Sequence, residues 1–381
     1  MQLEFATKQM TTAMKSVKKF FDKGVFADAD PGCQDCLVAS VNDGTAMLES
    51  AGSGLYTKAT FPATVQEPGR IAINRTTLHA LKLSGDRSTF KHADGANQMK
   101  FTSGQFTGEL AVGQVFDEIE AARPARVPKL TMSMPALVAK ASAKRTCLNT
   151  TLDNQPRMKL LIQDRKMTLS CNDSFRAAAV QNNLDEDSTG EGEIELPAVF
   201  FNTVLQAIED TRVQIGFNDN VFRIAGGAFD VCHPVMQSND KPIINVFDRF
   251  ATLKQTDPTV VATVDTAMMR DAIGAVTSVA PSGAGLEVKL ELFFSEKNNG
   301  QLTTAVKSAS SRGKFHLPLR TLRINNRVPI SLNARYIHEL LNLMNTDEVE
   351  FYAWEQVVVL SSEKVGCCML MPQLMKNRDE D

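Results

Sequence analysis

Apolar positions along the chain change period at regular intervals, and each change marks a strand running into a helix. In Val328-Pro-Ile-Ser-Leu-Asn-Ala-Arg-Tyr-Ile-His-Glu-Leu-Leu-Asn-Leu-Met344, Val328, Ile330 and Leu332 alternate as in a half-buried strand. Asn333 follows where a helix N-cap belongs. Beyond it Tyr336, Ile337, Leu340, Leu341 and Met344 form one helical stripe, with Arg335, His338, Glu339 and Asn342 on the opposite face. The unit recurs roughly every sixty to seventy residues, six times in all, a spacing that predicts a repeat architecture. The earlier copies are residues 3–7 running into 8–21, 70–74 into 75–83, 129–134 into 135–144, 192–196 into 197–209 and 260–265 into 266–276. Pro135 and Pro197 fall at helix openings, where a missing N–H costs nothing. An ordinary α+β protein with several short helices carries the same periodicity, so the pattern alone leaves both readings open.

Short strands fill the spaces between. Residues 36–41 and 46–50 flank Asn42-Asp-Gly44, a hairpin signal, and 157–162 and 166–171 flank Gln163-Asp164-Arg165. Further strands are expected at 287–294, 350–352, 357–360 and 366–371. Each unit thus predicts one helix laid on a small antiparallel sheet, an α+β fold. Two stretches rich in turn formers, 120–128 and 236–258, read as linkers and group the units into three pairs. The expected domains are residues 1–122, 123–250 and 251–381.

Composition narrows the class. A chain of 381 residues suits two or three domains, and 43% hydrophobic with 22% charged residues is usual for a soluble globular protein. No apolar run has bilayer length, and the N-terminus lacks a signal-peptide core. Seven scattered cysteines form no disulfide framework and fit a reducing cytoplasm. Cys33-Gln-Asp-Cys36 has zinc-ligand or redox spacing, but no second CxxC or paired histidine motif accompanies it, so no metal is expected. Cys367-Cys368 reads as strand core. Nucleotide-binding and nucleophile-elbow motifs are absent, so the chain is expected to be no enzyme and to need no cofactor.

The net charge of −3 conceals a pattern. Lys8, Lys15 and Lys19 fall within about 40° on the first helix, opposite Met10, Val17 and Phe21. Arg75, His79 and Lys82 share a side of the second, Lys140 and Lys144 lie one turn apart on the third, Arg270 is on the fifth, and Arg335 with His338 on the sixth. Acidic residues gather elsewhere: Asp117, Glu118 and Glu120, Asp185 to Asp187, Asp347 with Glu348, and Asp379-Glu380-Asp381. A solvated helix face explains any one of these lysine sets. Repeated over most of the helices, they suit a phosphate backbone bound without regard to sequence.

Six helix-on-sheet units in three pairs, with basic helical faces, resemble a DNA sliding clamp of the bacterial DNA polymerase III beta-subunit type. Cys367-Cys-Met-Leu-Met-Pro372 resembles that family's terminal tyrosine-valine-valine-methionine-proline-methionine-arginine segment. Asn172-Asp-Ser-Phe-Arg-Ala177 is similar to the threonine-aspartate-glycine-histidine-arginine-leucine turn of its middle domain. Arg145-Thr-Cys-Leu-Asn149 and Ser331-Leu-Asn-Ala-Arg-Tyr-Ile337 resemble the strand before that turn and the start of the last helix. Phe175 stands for the family's histidine, Ala177 for leucine, Gln373 for methionine and Leu374 for arginine, and residues 375–381 run past its usual end. Such divergence suits a virus-encoded clamp, for instance of a bacteriophage. The resemblance implies a three-domain clamp that closes as a head-to-tail homodimer around double-stranded DNA, with helices lining the hole. The cations named above, from Lys8 to Arg335, would then face DNA. The implied seam joins residues 100–111 to 286–294. The family's pocket for short motifs of polymerase, clamp loader and repair proteins maps onto Leu148, Ser174, Phe175, Arg176, Ala177, Val246, Tyr336, Val357, Met369, Met371, Pro372 and Gln373. The reading from a different class is a non-catalytic, β-rich virion or assembly protein that forms an oligomeric ring without DNA.

Overall fold

Leu3 and Phe5 are buried while their strand neighbours are half-exposed, and the chain passes without a break from that strand into a helix whose Met10, Ala13, Met14 and Val17 are buried. This junction is the building block of the molecule. The computed structural model describes residues 1–21, 36–42, 44–52, 55–74, 81–113, 126–146, 157–172, 176–236, 243–278, 288–296, 301–307, 312–325 and 330–372. The chain divides into two units, Met1–Lys140 with Leu184–Gln237, and Ala141–Asn183 with Ser238–Asp381.

The first unit is built on a 12-stranded sheet. Its order is β1 (Gln2–Ala6), β6 (Arg87–Lys91), β7 (Gln98–Ser103), β8 (Phe106–Gly113), β5 (Gly69–Asn74), β2 (Cys36–Asn42), β3 (Thr45–Gly52), β4 (Leu55–Glu67), β16 (Phe229–Pro234), β15 (Val221–Gly226), β14 (Arg212–Phe217) and β9 (Met132–Pro135). The long β4 serves three partners: β3 along its length, β16 through Tyr56 to Ala59, and β1 near its end. Helix α1 (Thr7–Phe21) packs on β4. Helix α2 (Ala136–Thr146) follows β9, and the unit boundary falls within it. β13 (Gly192–Pro197) runs into α3 (Ala198–Ala207), which buries Phe200, Phe201, Val204 and Leu205 and packs against α1. Around Phe5, edge-on contacts to Phe61 at 5.6 Å and Phe90 at 4.9 Å knit β1 to the sheet.

In the second unit the strands run β10 (Arg157–Gln163), β11 (Lys166–Asn172), β12 (Ala177–Asn183), β25 (Cys367–Pro372), β24 (Val357–Ser362), β23 (Glu348–Ala353), β17 (Val260–Asp265) and β21 (Thr321–Ile324). A 4-stranded sheet holds β20 (Arg312–Pro318), β19 (Gln301–Lys307), β18 (Lys289–Ser295) and β22 (Ile330–Asn333). Helices α5 (Thr266–Thr277) and α6 (Ala334–Met344) pack side by side. Each starts on a side-chain cap: Asp265 accepts from the Met268 amide, and Asn333 from those of Arg335 and Tyr336.

Two expectations change. Residues 236–258 read as linker, yet α4 (Val246–Leu253) lies there, capped by Asn245. The implied seam requires an open strand edge at residues 286–294. Instead β18 is hydrogen-bonded on both sides, to β19 and β22, so the free edges of that sheet are β20 and β22 among the described residues. On β8, Phe106 to Ala111 pair with β7 alone, and β5 joins only at Val112 and Gly113. Most of the predicted second helix, residues 75–80, lies outside the described residues.

Candidate functional site

A cleft of about 880 Å³ opens in the second unit. Its floor is set by strand register. Ala177 pairs with Leu370, Leu370 with Val359, and Pro372 with Val357, so these side chains share one face of the sheet. Helix α4 lies on that face. Val246 and Phe250 are buried there with Ala177, Ala179, Trp354, Val359 and Cys368. This leaves Ile244, Arg249 and Leu253 to line the cleft beside Trp354, Val357, Leu370 and Pro372.

The wall is locked by aromatic stacking. Phe250 meets Tyr352 at 5.1 Å and Trp354 at 6.4 Å, and Tyr352 stacks on Trp354 at 6.1 Å. Lys254 Nζ sits 4.3 Å from the Phe250 ring centroid, a cation–π contact. Trp354 Nε1 donates to the Thr256 carbonyl at 3.2 Å, which satisfies the indole's single donor and fixes its plane. Burial, reinforced by the charge of Glu350, pushes the Tyr352 phenol up to about 12. It stays neutral at physiological pH, as does the Cys367 thiol, which burial also raises to about 12. Neither group has the character of a nucleophile.

The polar part of the cleft is mixed: Arg176 and Arg249 stand against Asp257 and Glu355. Arg176 is the buried member. Its guanidinium ion-pairs with Glu339 on α6 and lies 4.6 Å from the Tyr336 ring centroid. Arg335 Nε donates to the other Glu339 oxygen at 2.6 Å. Burial alone raises the Glu339 carboxyl, but the hydrogen bonds and charges of Arg335 and Arg176 outweigh it and hold the group below the usual carboxylate range.

Of the twelve pocket positions carried by resemblance, Arg176, Ala177, Val357 and Pro372 line this cleft. Val246 is buried behind it, and Tyr336 lies beneath Arg176. Met369 and Met371 occupy alternate positions of β25 from Leu370, so they sit on the other face of the sheet, fully buried on the side where α6 packs. Leu148, Ser174, Phe175 and Gln373 lie outside the described residues. Ile244, Arg249, Leu253, Trp354 and Leu370 escaped sequence reasoning. For Leu370 the reason is that β25, Cys367–Pro372, carries no polar position and so gives no alternation from which to choose a face.

The expected cations are less uniform. Lys8 and Lys15 are exposed on α1, and Lys144 on α2. Lys19 belongs to α1, and Lys82 is exposed in an irregular stretch. Lys140 is half-buried and donates to the Ile208 carbonyl at 2.6 Å, neutralising the end of α3. Arg270 reaches Asn342 at 3.4 Å, and Arg335 is engaged with Glu339. Arg75 and His79 lie outside the described residues, as does Cys33 of the CxxC. No described helix is long and apolar enough to cross a membrane.

No family model matches the sequence, and no curated protein sequence matches it. Solved structures do match. The beta subunit of DNA polymerase from Streptococcus pyogenes gives a TM-score of 0.81 at 13% identity, covering 99% of this chain and 100% of that one. The DNA polymerase sliding clamp of Bacillus subtilis gives 0.81 at 12%, with the same coverage. The DNA polymerase III subunit beta of Pseudomonas aeruginosa gives 0.77 at 12%, covering 98% and 100%. The chain therefore has the α+β sliding-clamp fold from end to end.

Proposed function

We propose that the chain is a sliding clamp, a non-catalytic processivity factor that encircles duplex DNA as a head-to-tail homodimer and tethers a replicative polymerase, its clamp loader and repair proteins. One observation carries this reading: a likeness over 99% of the chain to a protein named as the DNA polymerase sliding clamp of Bacillus subtilis. The chain is read as three domains, 1–122, 123–250 and 251–381, acting in the cytoplasm of a bacterial or phage-infected cell. In a closed ring the link to DNA is topological, so phosphate contacts need only be weak and blind to sequence. Lys8, Lys15 and Lys144 are the exposed cations suited to that task. For the seam, the half-open edge of β8 at Phe106–Ala111 is the candidate on one side and the free edge of β20 on the other.

Within this reading the cleft takes a short extended peptide. Its apolar floor of Leu253, Trp354 and Leu370 would bury one or two bulky side chains, and Arg176 and Arg249 would orient a polar neighbour. Trp354 is the chain's only tryptophan, so its fluorescence reports the cleft directly. Titration with peptides from the polymerase and loader of the same genome should shift Trp354 emission saturably. Leu253→Asp should weaken that binding at least tenfold, about 1.4 kcal/mol, without changing the oligomer. A full set of such peptides that leaves the emission unmoved would refute the cleft assignment.

A further inference from the structure

We infer that two copies of the chain join in the register of its own internal sheet junctions, which sets Phe106 of one protomer opposite Phe315 of its partner. The inference rests on the reading of the chain as a dimeric ring and names the residues that meet at its seam. Two such junctions are filled within the chain: β16 pairs with β4, and β25 with β12. They are built alike. In each, the arriving strand opens directly after a hairpin connection, and its first residue, Phe229 or Cys367, falls opposite Ala59 or Val180. The neighbouring backbone bond repeats too: the Thr60 amide donates to the Ala228 carbonyl and the Gln181 amide to the Gly366 carbonyl, both at 2.8 Å. The receiving position is also constant. Ala59 faces Leu48, the fourth residue of β3, and Val180 faces Leu169, the fourth residue of β11.

The strands left over carry the same parts. β8 leaves its hairpin with β7 at Phe106, and Thr304, the fourth residue of β19, faces Phe315 on β20. Transferring the register pairs Phe106 with Phe315, Thr107 with Lys314, Gly108 with Gly313 and Glu109 with Arg312 across the seam. Burial separates the filled junctions from these edges. Phe229, Cys367, Ala59 and Val180 are all buried, whereas Phe106 is 55% exposed and Phe315 37%. The opposite edge of the same sheet, β22, keeps Ile330, Ser331 and Leu332 buried, so β20 is the edge that offers itself to a further strand. Thr60 and Ala228 exchange a backbone bond, so the pair after them is of the closely spaced kind not joined by hydrogen bonds. At that spacing two opposed phenylalanine rings pack against each other. Phe106 already leans on Phe101, with ring centroids 5.5 Å apart, so it gives up little freedom on docking. Beside it, Lys314 takes the place that Lys58 holds opposite Asp230 at the internal junction.

The test uses the full-length protein, with T107C/K314C as the opposed pair and T107C/H316C as the pair slipped by two residues. Opposed strand residues of this kind have Cα atoms about 5.5 Å apart, within disulfide reach, while a two-residue slip takes them to about 7 Å or more. After oxidation with diamide, T107C/K314C should run as a covalent dimer on a denaturing gel without reductant. Its yield should exceed that of T107C/H316C, wild type and each single variant by about tenfold. In sedimentation, F106A or F315A should each raise the dimer dissociation constant about tenfold, and the double variant little more than either, because both remove one contact. Cross-linking that favours T107C/H316C, no cross-linking in a protein that sediments as a dimer, or single losses that multiply overturns the register while leaving the dimeric ring standing. A wild type that sediments as a monomer at every concentration overturns the ring and the inference together.

Discussion

His233 lies buried in the first unit, its ring centroid 4.2 Å from that of Phe200. Burial lowers its pKa, against a smaller upward pull from the Pro234 carbonyl. A neutral imidazole in the fold faces one that protonates below about pH 6.5 once unfolded. Its contribution to stability is therefore complete above that pH and is lost as pH falls toward the lower folded value. The urea midpoint should drop between pH 7.5 and 5.5 more steeply in wild type than in His233→Gln; parallel declines would clear His233 of the effect. Gly366 makes a second residue-level demand. Its φ is +56°, and a Cβ there would stand 2.3 Å from the Gln181 carbonyl oxygen, while its own carbonyl accepts from the Gln181 amide at 2.8 Å. Gly366→Ala should cost about 2 kcal/mol or more, with faster exchange of the β12 amides. A change below a few tenths would mean that the β12–β25 junction yields easily. Neither demand is written in the local sequence, because each depends on what another strand brings to that point. The same holds for Met369 and Met371. Every residue from Cys367 to Pro372 except the exposed Pro372 is buried or half-buried, so only register against β12 and β24 decides that Leu370 faces the cleft and the methionines do not.

Among the elements, the strand-to-helix junctions were readable and α4 was not. The junctions announce themselves by a switch from period two to helical period with a capping residue between, as at Asp265 and Asn333. Helix α4 is only 8 residues long, and its buried anchors are just Val246 and Phe250. Two anchors one turn apart, amid turn formers, give too short a stripe to stand out. What holds α4 is tertiary: Phe250 against Tyr352 and Trp354, and the Asn245 cap, whose amide also donates to Asp248 at 2.6 Å. Asn245→Ala should remove about 1 kcal/mol from α4, read as several-fold faster hydrogen exchange of its amides and a weaker grip on cleft peptides. Exchange unchanged from wild type would show that stacking alone holds the helix.

For the whole molecule, the repeated period sufficed to identify helices laid on antiparallel sheets, since α1, α3, α5 and α6 each bury an apolar stripe. The roles of the helix-borne cations were less legible. Periodicity assigns a residue to a helix face but says nothing of what that face meets, so Arg335, grouped with the solvent-facing cations, proves to be tied up with Glu339, and Lys140 with the end of α3. In the proposed ring, closure rather than attraction to phosphate would hold the DNA. The direct test is retention on DNA. Loaded on nicked circular DNA and washed at roughly 1 M salt, where charges are screened beyond about 3 Å, the protein should stay bound, then be released when the circle is cut to a linear molecule. Equal retention on circular and linear DNA, or loss from both at that salt, would contradict the encircling ring.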